Sequence, residues 1–438
     1  MTTLSEPIAT QNANQANIRK AVTAATVGTV IEWYDYALYG AASGLIINRL
    51  FFPNLSPTVG VLAAFATFAV GYLARPIGGI VISHIGDRFG RKPALILTIA
   101  LMGLATVLMG LLPTYASIGI VAPALLVLLR LIQGFGAGAE LAGAIVLVAE
   151  YAPPGRRAFY TSLPNAATLV GIMLATLSFL VISTLPEDVL LGWAWRIPFL
   201  LSGVLFFIAL YIRRHLDETP EYVEAMAKAE ARRHEQKVPL AELFRQSPKE
   251  VLFGFLSVTG HNANVYILSA FSLSYMTNTL GMPRTDGLIA GTIGAVVGIV
   301  GTPVMGSLAD RIGSAKVYAG GALFILLFAY PLFLMLDSRS LPLATLAISL
   351  GYGIGFGAMA GAQGAFLANL FPTRYRFTGL AISRELNGVL VAGPTPLIAA
   401  SLVAYADGSP VGVAAYLMGC CALTILAVIV ITNRSVHT

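Results

Sequence analysis

Eight ionisable side chains stand inside long apolar stretches of the chain: Glu32, Asp35, Arg75, Arg130, Glu140, His261, Arg384 and Glu385. At the centre of a bilayer an ionisable group costs about 2.5–3.5 kcal/mol on insertion scales. Eight of them are therefore expected to face a shared interior and to pair there. A carboxylate beside an arginine ionises, and one separated from it in a dry cavity takes up a proton. Asp35, Glu32 and Glu140 are the expected proton carriers, with His261 as a further one. Arg75, Arg130 and Arg384 can each hold a carboxylate in a two-pronged fork, so an anionic cargo is expected. The run Gly260-His261-Asn262-Ala263-Asn264-Val265-Tyr266 adds polar groups suited to hydroxyl or carboxylate recognition, as does Glu385, with Gln363 and Tyr275 as weaker candidates.

Spacing says which of these groups can meet. At about 100° per residue, Glu32, Asp35, Tyr36 and Tyr39 form one helical stripe, and Arg130, Gln133 and Glu140 form another. At ~1.5 Å of rise per residue, Glu32, Arg75, Glu140 and His261 lie about 15–18 Å from the nearest polar loops, near mid-membrane. Asp35 and Arg130 fall further out on the opposite side of that plane, and Arg384 nearer the basic loops.

The elements that position them follow from composition. The chain has 438 residues, of which 57% are apolar and only 11% charged, with mean hydropathy +0.78. A soluble globule of this size carries roughly 25% charge on average, so lipid is the solvent for most of this chain. Spans of about 20 apolar residues are needed to cross a bilayer. Twelve are legible, near 21–47, 58–84, 93–112, 117–150, 160–184, 193–213, 250–277, 286–308, 317–336, 341–369, 378–405 and 411–432. The expected fold is an all-α membrane protein of two six-helix bundles, 21–213 and 250–432. A polar linker (214–249) joins them, and short tails (1–20 and 433–438) flank them.

Of the 27 basic residues most fall in one set of loops, at Arg19/Lys20, Arg88/Arg91/Lys92, Arg156/Arg157, the linker, Arg311/Lys316, Arg374/Arg376 and Arg434. The alternate loops hold Arg49, Arg284 and Arg339. By the positive-inside rule the first set, and both termini, are expected to be cytoplasmic. The polar first residues lack the basic start and short apolar core of a cleaved signal. The net charge of +6 is thus membrane topology, and no nucleic-acid partner is expected.

The two halves repeat. Gly86-Asp87-Arg88-Phe89-Gly90-Arg91-Lys92 follows the second span, and Ala309-Asp310-Arg311-Ile312-Gly313-Ser314-Ala315-Lys316 the eighth. Glu150-Tyr151-Ala152-Pro153-Pro154-Gly155-Arg156-Arg157 likewise corresponds to Asn369-Leu370-Phe371-Pro372-Thr373-Arg374-Tyr375-Arg376 at nearly the same offset. Duplicated six-helix halves are a transporter architecture, with the substrate near the midplane between them.

These residues resemble the major facilitator superfamily. Glu32-Trp33-Tyr34-Asp35-Tyr36 with Tyr39-Gly40, Arg75-Pro76-Ile77-Gly78-Gly79, Arg130-Leu131-Ile132-Gln133-Gly134 through Glu140, and Trp195-Arg196-Ile197-Pro198-Phe199-Leu200 resemble its metabolite:proton symporter family. Phe51 to Lys92 is most similar to the shikimate-transporter branch. That family takes up shikimate, 2-oxoglutarate, citrate, aromatic acids, or proline and betaine. The resemblance implies proton-coupled import of a small organic acid by alternating access in the inner membrane, with a zwitterionic osmolyte as the alternative. Export, or a receptor that no longer transports, ranks behind both. By the same resemblance Asp35 and Arg130 are expected to form an ion pair. Asp87, Arg88, Arg91, Glu150, Arg157, Asp310, Arg311 and Arg376 are expected to latch the loops that gate access. The chain departs from the family pattern at Ser83, Ala139 and Ser314-Ala315, and at Arg384-Glu385, where the shikimate branch carries uncharged residues.

Other signals carry no chemistry. Cys420 and Cys421 are neighbours about 100° apart on a helix, suited to packing rather than to a disulfide or a metal. Gly351-Tyr352-Gly353-Ile354-Gly355-Phe356-Gly357 follows no strand, so it reads as close helix packing and not as a nucleotide loop. Neither an enzyme nor a cofactor is expected, and the protein is expected to act as a monomer.

Overall fold

The computed structural model describes residues 8–89, 91–138, 145, 148–149, 152–215, 240–371 and 376–435. Among them every regular element is helical. Helix α1 (Ile8–Ala42) runs on through a π-helical turn at Ser43–Ile47 to Asn48–Phe51. Helix α2 is Pro57–Leu73 with Arg75–Phe89 after a one-residue break at Ala74. Then come α3 (Arg91–Leu111), α4 (Val121–Gly136), α5 (Arg157–Ser183) and α6 (Arg196–His215). The second half holds α7 (Pro248–Tyr266, running on through π-helical turns at Ile267–Phe271 and Tyr275–Thr279), α8 (Arg284–Ile312) and α9 (Ser314–Asp337). Helix α10 is Leu341–Leu350, a π-helical turn at Gly351–Phe356 and Gly357–Leu370. Helix α11 is Arg376–Asn387, a π-helical turn at Gly388–Ala392 and Thr395–Tyr405, and α12 is Val411–Ser435.

Among the described residues eight spans are long and apolar enough to cross a membrane, and Glu187–Ala194 with Arg196–Ile208, bent by 42°, makes a ninth when taken as one span. Ile96–Leu111 and Val121–Gly136 are shorter apolar helices, and α1 carries the first apolar segment. The twelve helices thus match the twelve expected segments, with shifted ends. Helix α1 starts at Ile8, ahead of the expected first segment near 21. The fourth segment starts later than expected, after the positive φ of Gly119. Ser56 starts α2 by accepting the Val59 N–H, with Pro57 at the first helical position.

Glycine decides how closely the site-bearing helices approach. A Cβ on Gly134 of α4 would fall 1.8 Å from the Gly71 carbonyl oxygen of α2, and one on Gly78 1.9 Å from that of Phe135. A Cβ on Gly71 would stand 2.7 Å from Nη2 of Arg130. The backbones of α2 and α4 therefore touch, as small residues allow in lipid, and the space left at Gly71 is filled by the Arg130 head. In α10 the glycine run forms the π-helical turn, with Gly353 against Gly301 of α8. Such turns also interrupt α1, α7 and α11, just beyond Tyr39, Tyr266 and Asn387, where wide turns often accompany function.

Candidate functional site

One buried charge cluster joins the two halves. Arg75 of α2 donates from Nε to Glu385 Oε2 (3.2 Å) and from Nη2 to Glu385 Oε1 (3.3 Å) on α11. Its Nη2 also reaches Glu32 Oε1 of α1 at 3.2 Å. The three side chains keep 13%, 18% and 3% of their surface exposed, so water does little to screen them. Rings enclose the guanidinium: Tyr36 and Tyr72 lie 5.2 and 5.5 Å from its carbon. Tyr72 hydrogen-bonds Tyr266 of α7, Trp33 stacks on Tyr266 at 5.8 Å, and Phe68 meets Tyr266 edge to face at 5.9 Å. An aromatic wall thus closes the charged cluster on the side of Tyr39 and Arg130.

Beyond it lies a second, fully buried group within the first half. Arg130 is 0% exposed. It donates to Gln133 Oε1 and to the Phe68 carbonyl (3.0 Å), and its carbon lies 4.1 Å from the Tyr39 ring centre. Tyr39 in turn bonds Thr67. The expected Asp35–Arg130 ion pair is not formed. Asp35 accepts from Ser202 Oγ at Oδ1 (2.6 Å) and from Thr106 Oγ1 at Oδ2 (3.0 Å). Gln133 Nε2 donates to that Thr106 hydroxyl at 2.8 Å. The two charges are therefore linked through Gln133 and Thr106. The physical reason is competition: Arg130 finds the Phe68 carbonyl, Gln133 and an aromatic box on its own side, and two hydroxyls satisfy Asp35.

The second half carries the other arginine. Arg384 donates to Gln363 of α10, Gln363 donates to the Tyr318 hydroxyl of α9 (3.1 Å), and Tyr318 donates to the Ser257 carbonyl (2.9 Å). Among the described residues a neutral amide is the hydrogen-bond partner of Arg384. His261 packs on Phe356 with ring centres 5.0 Å apart, and its Nδ1 is buried without a hydrogen-bond partner.

The remaining candidates divide. Asn262 donates to Asn387 of α11 at 2.7 Å, and Asn264, fully buried, donates to the Gly351 carbonyl of α10 at 3.4 Å. Both therefore brace helices in this conformation. Tyr275 donates to Asp337 (2.6 Å) and so ties α7 to the end of α9, away from the arginines. Among the loop residues Asp310 accepts the N–H groups of Ala158 (2.8 Å) and Phe159 (2.9 Å), capping α5 from the other half. Arg157 donates to Asn369 at 3.2 Å, and Arg311 is exposed. Glu140 and Glu150 lie outside the described residues, as do the side chains of Asp87, Arg88, Arg91 and Arg376.

Sequence reasoning missed Thr106, Ser202, Tyr72, Phe68 and Tyr318. Tyr72 stands one turn before Arg75, a spacing that could have found it. Hydroxyls in apolar helices commonly bond their own backbone, so Thr106 and Ser202 carried no signal. The Trp195-Arg196 motif has a local role: Arg196 donates to the carbonyls of Gly110 (2.8 Å) and Leu112 (2.7 Å) at the end of α3.

Comparison with known proteins agrees with this architecture. A family model described as Major Facilitator Superfamily matches residues 25–396. A shikimate transporter of Escherichia coli (strain K12) is 37% identical over 416 residues, covering 95% of this chain and 94% of that protein. A proline/betaine transporter of Salmonella typhimurium (strain LT2) is 34% identical over 397 residues, covering 89% and 79%. The crystal structure of a D-xylose-proton symporter superposes with a TM-score of 0.70 at 19% identity, covering 94% of this chain and 96% of that one. That last likeness concerns the fold. With twelve helices in two halves, a buried charge cluster between them and relatives that are transporters and not enzymes, this multi-pass membrane protein belongs to the major facilitator superfamily.

Proposed function

We propose that this chain imports a small organic acid anion together with protons, by alternating access between its two halves. The observation that carries the reading is a pair of arginines, Arg75 and Arg384, one on each half. The first is held by carboxylates from both halves and the second by a neutral amide. A carboxylate entering between them meets fixed cations from both sides, and a guanidinium binds it in the same two-pronged way that it binds Glu385. Glu32 and Asp35 are carboxylates available to take a proton that accompanies the anion. In this reading the basic loops face the cytoplasm, the protein sits in the inner membrane as a monomer, and residues 214–249 join the two bundles.

A second reading has its own support. Trp33, Tyr36, Phe68, Tyr72 and Tyr266 form a ring cluster of the kind that attracts a quaternary ammonium, which suits a betaine. The arginine already lying over Tyr36 and Tyr72 favours the anion. Uptake into proteoliposomes under an inward proton gradient separates the two. The panel is shikimate, 2-oxoglutarate, citrate, protocatechuate and betaine. Gradient-dependent accumulation of an acid supports the first reading, and accumulation of betaine alone replaces it with the second.

A further inference from the structure

Glu385 occupies the place that the reading above gives to a substrate carboxylate. Both of its oxygens take the Arg75 fork, at 3.2 and 3.3 Å, although Glu385 belongs to the other half of the molecule. Its chain neighbour Arg384 turns away to Gln363. The contact is therefore a cross-half latch of the same chemistry as the proposed cargo.

We propose that Glu385 is a built-in competitor of the substrate for Arg75, and that the coupled proton travels on the Glu385 carboxylate once the substrate has displaced it. The inference rests on the organic-acid reading. Charge balance carries it further. Glu32, Arg75, Arg384 and Glu385 are two carboxylates and two guanidiniums, balanced in the empty site. A monocarboxylate arriving at Arg75 adds one negative charge. One proton from the external water, bound to a Glu385 oxygen, restores the balance and is released to the internal water when Glu385 recovers Arg75. No covalent bond other than that O–H forms or breaks.

The surroundings favour Glu385 over Asp35. Asp35 is fixed by Ser202 and Thr106 beyond the aromatic wall, and among the described residues the ion pairs of Arg75 are with Glu32 and Glu385. Glu385 is the most exposed member of the Arg75 cluster. Glu385 interacts with Arg75 on α2 and with Arg384 on its own helix; Arg75 in turn meets Glu32 and Tyr36 of α1, Tyr72 of α2 and Tyr266 of α7, and Arg384 meets His261 of α7 and Tyr318 of α9. From α10 the neutral Gln363 meets the neighbouring Arg384. Glu32 is held by the same guanidinium with 3% exposure against 18% for Glu385, so Glu385 is the more accessible of the two carboxylates.

The test uses full-length protein in proteoliposomes, with shikimate and protocatechuate as probes. In the wild type, affinity for the acid rises about tenfold for each unit by which pH is lowered, across the window in which one proton is taken up on binding. In Glu385→Gln that slope disappears, and gradient-driven accumulation falls at least tenfold more than acid–acid exchange. Glu385→Asp, which keeps a carboxyl, restores the slope. A slope that survives in Glu385→Gln, or one that vanishes in Glu32→Gln while Glu385→Gln keeps it, overturns the assignment and leaves the importer reading standing. Absence of gradient-driven uptake of every acid by the wild type overturns both.

Discussion

Replacing Arg75 with methionine keeps most of the side-chain volume and removes the cation. Glu32 and Glu385 would then face each other at the join between the halves. All three side chains are less than a fifth exposed, so no large discount for solvent screening applies. Removing one partner of a buried ion pair costs about 3–5 kcal/mol, because the other charge is stranded. The rings of Tyr36 and Tyr72 also lose their cation, at about 1–2 kcal/mol each where water is largely excluded. Glu385→Gln alone leaves Arg75 with Glu32 and a neutral amide oxygen, at about 1–3 kcal/mol. In the double variant Glu32 and Arg384 still balance, so the double loss should fall short of the summed single losses by at least about 1.5 kcal/mol. The assay is equilibrium unfolding in mixed micelles titrated with a denaturing detergent, all four proteins in one lipid-detergent mixture. Losses that add within about 0.5 kcal/mol would refute the claim that this contact joins the halves energetically.

Five further substitutions, in three experiments, have expected outcomes. Thr106→Val removes the hydroxyl shared by Gln133 and Asp35 and should destabilise by about 1–3 kcal/mol. Ser202→Ala, losing one 2.6 Å donor to Asp35, should fall in the same range, and thermal unfolding checks both. Gly134→Ala drives a methyl to 1.8 Å from the Gly71 carbonyl and should abolish folded yield. Gly119→Ala, in open space at φ +58, should cost only about 1–3 kcal/mol of backbone strain; size-exclusion profiles compare the two. Asp310→Asn weakens the cap on α5, worth up to ~2 kcal/mol, and should open the basic end. Faster labelling of reporter cysteines there is expected, and unchanged labelling would remove the cap from the gating account.

Much of the site was legible because lipid makes charge conspicuous. Glu32 and Arg75 stand at the same depth by simple rise-per-residue arithmetic, and they meet at 3.2 Å. The stripe Arg130–Gln133 closes on itself by a hydrogen bond between the two. What the spacing could not supply was the choice between competing partners. Asp35 and Arg130 share a level and opposite charges, yet two hydroxyls and a backbone carbonyl reach them first. Nor could it show that Arg384 and Glu385, adjacent in the chain, point to different helices, since that depends on how α11 is turned between α2 and α10. The twelve segments were legible from apolar length and the two halves from the repeat, whereas helix ends drifted, α1 starting at Ile8 ahead of the first apolar segment.

The central claim is that an organic acid and a proton enter together. Proteoliposomes carrying a luminal pH dye, with no gradient imposed, test it directly when radiolabelled shikimate or protocatechuate is added outside. The account predicts that the lumen acidifies as label accumulates, in step with it, and that Arg75→Met abolishes both signals. Label entering without any luminal pH change, or acidification unaffected in Arg75→Met, would contradict it.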